Sequence, residues 1–148
     1  MNAFVCIDAC VAVKWVLPEH DSDQAFELYT HILAEKDSII APPHMPVEVV
    51  NTIRQKVRRG EITPADAEDA LSAFLALPVN IATPEGLYES SLLLAQRFDR
   101  PTVYDTHYVA LAQIAGCEFW TADKKLLNAL GGRLPFVKEL SPLPARGA

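Results

Sequence analysis

Short apolar runs alternate with stretches of helical period along almost the whole chain, and this alternation constrains the fold more than any other feature. Phe4-Val5-Cys6-Ile7 reads as a buried strand ending at Asp8, followed by a helix over 11–17 that Pro18 stops. Asp21-Ser22-Asp23 caps a second helix with apolar positions at Ala25, Leu28, Ile32 and Leu33, and residues 38–41 read as the next strand. After Pro42-Pro43, Val47, Val50, Ile53 and Val57 mark the apolar stripe of a helix over 45–57, ended by Gly60. Thr63-Pro64-Ala65-Asp66 combines an N-cap, proline at the first helical position and an acid at the third, and opens a helix to about residue 77. A strand over 79–82 precedes Thr83-Pro84 and a helix that ends before Pro101. Asp105 opens a helix that stops at Gly116; a strand over 117–121, a helix over 123–130 and a short strand around Phe136-Val137 follow.

Strands that are apolar throughout, each followed by helices, predict an α/β protein: a three-layer α/β/α sandwich around a central parallel sheet of about five strands, with right-handed crossovers. The 148 residues fit one domain, 1–148, large enough to bury a core without disulfides or structural metals. Open parallel sheets bind ligands beyond the carboxyl ends of their strands, at the point where strand order reverses. Asp8 and Asp123 both stand just past strand ends, so both face one expected site.

Cys6, Cys10 and Cys117 are odd in number and contain no CxxC pair, which fits a reducing cytoplasm better than a disulfide framework or zinc knuckle. No apolar stretch reaches the roughly 18 residues a membrane helix needs, and Asp8 interrupts the first one. The net charge of −6 runs against the basic face usual in nucleic-acid binders, but acids that converge on divalent cations are neutralised locally.

Four carboxylates carry the chemistry: Asp8, Glu48, Asp105 and Asp123. Asp8, Asp105 and Asp123 each also read as helix caps, and Glu48, set between Val47 and Val49, also reads as one half of an ion pair with an Arg or Lys. Glu48 and Asn51 share a helical face at i and i+3. Metal binding accounts for all four acids together. An all-oxygen set without His or Cys ligands selects Mg²⁺ or Mn²⁺ over Zn²⁺. Such ions lower the pKa of a bound water and clamp a phosphodiester, so no side-chain nucleophile is needed.

The blocks Ile7-Asp8-Ala9-Cys10-Val11-Ala12-Val13-Lys14-Trp15, Pro43-His44-Met45-Pro46-Val47-Glu48-Val49-Val50-Asn51, Tyr104-Asp105-Thr106-His107-Tyr108 and Thr121-Ala122-Asp123 resemble, in order and spacing, PIN domains of the VapC toxin type. The resemblance covers essentially the whole chain. It implies a PIN-like sandwich in which Asp8, Glu48, Asp105 and Asp123 hold Mg²⁺ or Mn²⁺ for endonucleolytic cleavage of RNA. It also implies a small antitoxin that blocks the site, operator DNA contacted only through that antitoxin, and a homodimer. The chain departs from the family at Ala9-Cys10, where a Ser or Thr hydroxyl often follows the first acid. The thiol is a poorer hydrogen-bond partner; Thr121 and Thr106 are the hydroxyls available nearby.

Other features carry less. Arg54, Lys56, Arg58 and Arg59 read as a solvated basic face, while Lys14, Arg97, Lys124 and Lys125 are candidates for a phosphate-binding rim. His20, His31, His44 and His107 show no paired ligand spacing, and Trp15 and Trp120 read as core aromatics. Gly131-Gly132 lacks the rest of a P-loop, and GxSxG is missing. A PIN-like protein-binding module of low activity is the alternative class of function, with a metal-dependent phosphatase third.

Overall fold

The computed structural model describes residues 3–141; the two residues before and the seven after, which belong to the expected 1–148 domain, lie outside the described residues. In chain order the elements are β1 Phe4–Ile7, α1 Ala9–Val16, α2 Ser22–Glu35, β2 Ser38–Ala41, α3 Met45–Arg58, α4 Pro64–Leu75, β3 Val79–Ile81, α5 Leu87–Arg97, α6 Tyr104–Ala115, β4 Glu118–Thr121, α7 Lys124–Leu130 and β5 Val137–Glu139.

All five strands pair in parallel, in the order β3-β2-β1-β4-β5. Helices α1 to α4 pack on one another, while α5 pairs with α6, and α6 lies over β1 and β4. With right-handed crossovers the two groups fall on opposite faces, giving the expected α/β/α sandwich. That is why β1, the central strand, is apolar and buried at Val5, Cys6 and Ile7 rather than alternating. The chain leaves β1 toward β2 and β3, then returns across the sheet to β4. The switch point therefore lies between β1 and β4, with Asp8 and Asp123 on its two sides.

Local chemistry sets several boundaries. Thr63 Oγ1 accepts from Asp66 N at 3.1 Å and Asp66 Oδ2 accepts from Thr63 N at 3.0 Å, the reciprocal cap expected at the start of α4. Thr63→Ala is expected to cost about 1 kcal/mol, measured as a lower urea midpoint at unchanged slope; an unchanged midpoint would show that the cap contributes nothing. Gly116 ends α6 with φ +66°, a left-handed turn that favours glycine.

Helix α5 starts at Leu87, after Thr83-Pro84 and a left-handed Gly86. Two expectations change. The buried face of α3 is Met45, Val49 and Ile53, whereas Val47 and Val50 are 69% and 43% exposed, because α1 and α4 cover the other side of the helix. Trp15 is a core residue, its indole N–H donating to Ala25 O at 2.7 Å, but Trp120 is only partly buried and donates to Glu118.

Candidate active site

Three of the four sequence-selected acids, Asp8, Glu48 and Asp123, line one cavity of about 390 Å³ with Cys10, Lys14, Glu19 and Thr52. It lies at the carboxyl ends of β1 and β4. A larger hollow of about 800 Å³ lies at the amino ends of these strands, remote from the four acids.

Asp8 follows β1, its backbone N–H donating to Trp120 O at 3.1 Å, which ties it to the adjacent strand. Its side chain does not cap α1. Instead Asp8 Oδ2 accepts from the Thr121 hydroxyl at 2.7 Å, and Thr121 Oγ1 in turn accepts from Asp123 N at 3.0 Å. One hydroxyl thus joins the two acids across the switch point. Burial raises the Asp8 carboxyl to a pKa of about 6, with repulsion from Glu48 adding and the Thr121 bond opposing. Cys10 sits behind this link: its thiol accepts from Ala122 N at 3.4 Å and lies 3.7 Å from Thr121 Oγ1. The thiol at the departure from the family pattern therefore braces the turn that carries Thr121. Thr106 points elsewhere, donating to Ser91 O.

Glu48 lies in the first turn of α3. Its partner is neither Arg nor Lys: Oε1 accepts from the Tyr108 hydroxyl at 2.7 Å and lies 3.2 Å from His44 Nε2. His44 Nε2 donates to Tyr104 O at 2.7 Å. Burial raises the Glu48 pKa, the Tyr108 bond opposes the rise, and the charge of Asp105 adds to it; burial lowers that of His44. Asn51 is exposed, and Thr52 rather than Asn51 shares the cavity with Glu48.

Asp105 stands apart from the cavity wall, in the first turn of α6, and does not cap that helix; Val103 occupies the cap position. The Arg100 guanidinium donates twice to Asp105 Oδ2, at 3.0 and 2.8 Å. Asp105 Oδ1 is buried without a hydrogen-bond partner. Asp123 does cap α7, its Oδ1 accepting from Lys125 N and Leu126 N. Cap and site positions coincide there.

The cations are largely engaged. Lys14 lines the cavity, but its ammonium lies 2.7 Å from Glu19, which also holds Lys56 at 2.8 Å. Lys56 is thus partly buried in a bridge rather than part of a solvated basic face. Lys124 pairs with Glu139, and Arg97 packs over Phe98. His44, Tyr108 and Arg100 were not legible as site residues. His44 at i−4 from Glu48, and Arg100 across Pro101 from Asp105, were the available signals.

Among the described residues, no three His, Cys, Asp or Glu side chains stand close enough as placed to form a ready metal cage. The donor set nevertheless fits a hard divalent cation. It is all oxygen, Asp8 and Glu48 are destabilised in their charged forms by burial, Lys14 is engaged elsewhere, and Asp105 Oδ1 is an orphaned buried acceptor.

A parallel α/β sandwich with acids converging on its switch point defines a class, and the chain belongs to the PIN-domain family, whose sequence profile matches residues 5–131. It is 36% identical over 91 residues to Ribonuclease VapC3 of Mycobacterium tuberculosis, in both strain CDC 1551 / Oshkosh and strain ATCC 25618 / H37Rv. The match covers 60% of this chain and spans 63% of the length of those relatives.

Proposed function

We propose that residues 1–148 form a single PIN domain acting as a Mg²⁺- or Mn²⁺-dependent endoribonuclease, the toxin of a toxin–antitoxin pair. Asp8, Glu48, Asp105 and Asp123 are its metal-binding and catalytic acids. The observation that carries this reading is the arrangement at the switch point: Asp8 and Asp123 past adjacent strands, bridged by Thr121, with Glu48 on the same cavity. The similarity to Ribonuclease VapC3 supports RNA as the substrate and a small antitoxin as the partner. A homodimer, contact with operator DNA only through the antitoxin, and residence in the cytoplasm complete the proposal; among the described residues no helix is long and apolar enough to cross a membrane.

The chain's own residues perform the positioning. Thr121 fixes one oxygen of Asp8, Tyr108 fixes one oxygen of Glu48, and Arg100 fixes one oxygen of Asp105, leaving the other as an acceptor. The α7 amides hold Asp123 at the strand end. A bound divalent cation supplies a water of lowered pKa and charge neutralisation at the scissile phosphate. Without a cation the acids repel that phosphate, so activity is expected to require one.

The test is incubation of the purified protein with total cellular RNA, with Mg²⁺ or Mn²⁺ against chelator, beside Asp105→Asn and Glu48→Gln. Discrete fragments that vanish with chelator and with either substitution are the expected result. No cleavage by a folded, metal-supplied parent would favour the second reading, a binding module of low activity. One observation favours that reading: Arg100 already compensates the charge of Asp105.

A further inference from the structure

Lys14 is the only charged residue of α1, a helix otherwise built from Ala, Cys, Val and Trp, and it is only 9% exposed. Burying an ammonium is costly unless something compensates it. Part of the compensation is visible: Lys14 Nζ donates to Glu19 Oε2 at 2.7 Å, and the other oxygen of Glu19 lies 2.8 Å from Lys56 Nζ on α3. Asp21 Oδ2 stands at 4.0 Å, at the edge of ion-pair range. An ammonium has three donors, however, and among the described residues the Glu19 bond uses one. Lys14 also lines the cavity of Asp8, Glu48 and Asp123, where it is the one cation among the described residues and where Glu19 and Asp21 add two further carboxylates. Its unspent donors therefore belong to a buried side chain on the wall of the acidic cavity, not to a solvated surface lysine.

We infer that Lys14 grips a backbone phosphate of the substrate next to the scissile one. The inference rests on the nuclease reading and adds a substrate-binding residue to it. On that reading the scissile phosphate belongs with Asp8, Glu48 and Asp123 at the strand ends. Lys14 lies six residues past Asp8, about 9 Å along the α1 axis, and so meets a different phosphate of the same strand. Glu19 and Asp21, on the same cavity, would repel that phosphate by themselves. Lys14 stands against both, offsets the repulsion and supplies a charged donor, the kind of contact that fixes a strand's register without reading its bases. Lys56 makes this workable. Glu19 divides its charge between two ammoniums, so Lys14 keeps positive charge to offer a phosphate rather than being neutralised by its partner.

The test is the fluorescence anisotropy of a fluorescein-labelled oligoribonucleotide with the full chain in an Asp8→Asn background. Mg²⁺ is held constant and KCl is varied, so that binding is read without cleavage. Lys14→Met is expected to weaken binding about tenfold and to reduce the slope of log affinity against log salt by about 0.7, the loss of one phosphate contact; Lys14→Arg keeps the slope. Glu19→Gln keeps an acceptor for Lys14 but removes a charge that repels the phosphate, and is expected to tighten binding about threefold. Both Lys14→Met and Glu19→Gln break the same ion pair, so a merely structural bridge between α1 and α3 would make them act alike. Weakening by both overturns the inference, as does a Lys14→Met variant with the background's affinity and salt slope. Should Lys14→Met fail to fold in a thermal melt, Glu19→Gln decides: tighter binding upholds the contact and weaker binding overturns it. Cleavage of cellular RNA by the parent with Mn²⁺ is scored separately. Cleavage together with a salt slope unmoved by Lys14→Met removes this contact and leaves the nuclease standing, whereas a parent that neither cleaves nor binds RNA removes both.

Discussion

Asp8→Asn is expected to raise the stability of the metal-free protein near neutral pH while reducing RNA cleavage more than about 100-fold. Asp8 is buried, and its pKa rises from an ordinary 3.8 to about 6 on folding. The folded state therefore holds the proton more tightly than the unfolded state. For such a group, ionisation costs nothing below the unfolded value, and stability falls as pH rises from about 4 to about 6; above that the full penalty applies. A rise of this size corresponds to about 3 kcal/mol. Asn keeps an acceptor for the Thr121 hydroxyl and removes the charge, so most of that penalty is expected to vanish, on the order of 5–10 °C in melting temperature for a chain of this length. Thermal melts in chelator at pH 5 and pH 7.5 check it: parent and variant differ mainly at the higher pH. A variant that melts below the parent at both values would show that Asp8 is not a strained buried charge.

The opposite effect is expected at Asp105. Arg100→Met removes the guanidinium that pairs with this carboxylate and, among the described residues, leaves both its oxygens without donors, since Oδ1 is already unpartnered. Breaking a well-buried pair costs about 3–5 kcal/mol, and because both side chains retain some solvent contact, at 18% and 17%, we expect about 2–3 kcal/mol. Mn²⁺ at a hundredfold excess over its dissociation constant contributes about 2.7 kcal/mol to whichever form binds it. The parent gains from the ion as well, but without the guanidinium competing for Asp105 the variant is expected to bind Mn²⁺ more tightly, so the deficit of Arg100→Met is expected to be smaller with Mn²⁺ than in chelator. The double variant Arg100→Met/Asp105→Asn should be more stable in chelator than Arg100→Met alone, as a double-mutant cycle reads directly. An equal deficit with and without Mn²⁺ would mean that Asp105 lies outside the cation's reach.

These two substitutions separate the charges the site must hold from the groups that hold them. Asp8 and Glu48 are kept short of cations, and their hydrogen bonds come from hydroxyls, Thr121 and Tyr108, which orient a carboxylate without neutralising it. Asp105 instead pairs with a guanidinium, that of Arg100. The site therefore carries uncompensated negative charge in the protein by itself, the electrostatic condition for taking up a divalent cation.

Much of the architecture was legible along the chain because its determinants are local. Apolar runs bounded by Pro and Asp located all five strands to within a residue or two. The Thr63 cap and the Gly116 stop located helix ends through backbone chemistry that depends on neighbours three or four positions away. Two of the acids, Asp8 and Asp123, also followed from local signals, because residues just past a parallel strand must emerge at the same end of the sheet. The α3 stripe misled: Val47 and Val50 obey helical spacing, but which side is buried depends on where α1 and α4 lie.

By itself, then, the sequence determined the alternating parallel sandwich and placed Asp8 and Asp123 at one end of its sheet, since period, turns and strand ends are properties of short segments. Only the tertiary structure decided what holds each acid. Thr121 reaches Asp8 from 113 positions away and Tyr108 reaches Glu48 from 60, and such pairings exist only once β1, β4, α3 and α6 are packed. Even Arg100, five positions from Asp105, became its partner only because helix α6 begins at Tyr104 with Val103 as its cap, leaving the carboxylate free of capping and turned to the guanidinium.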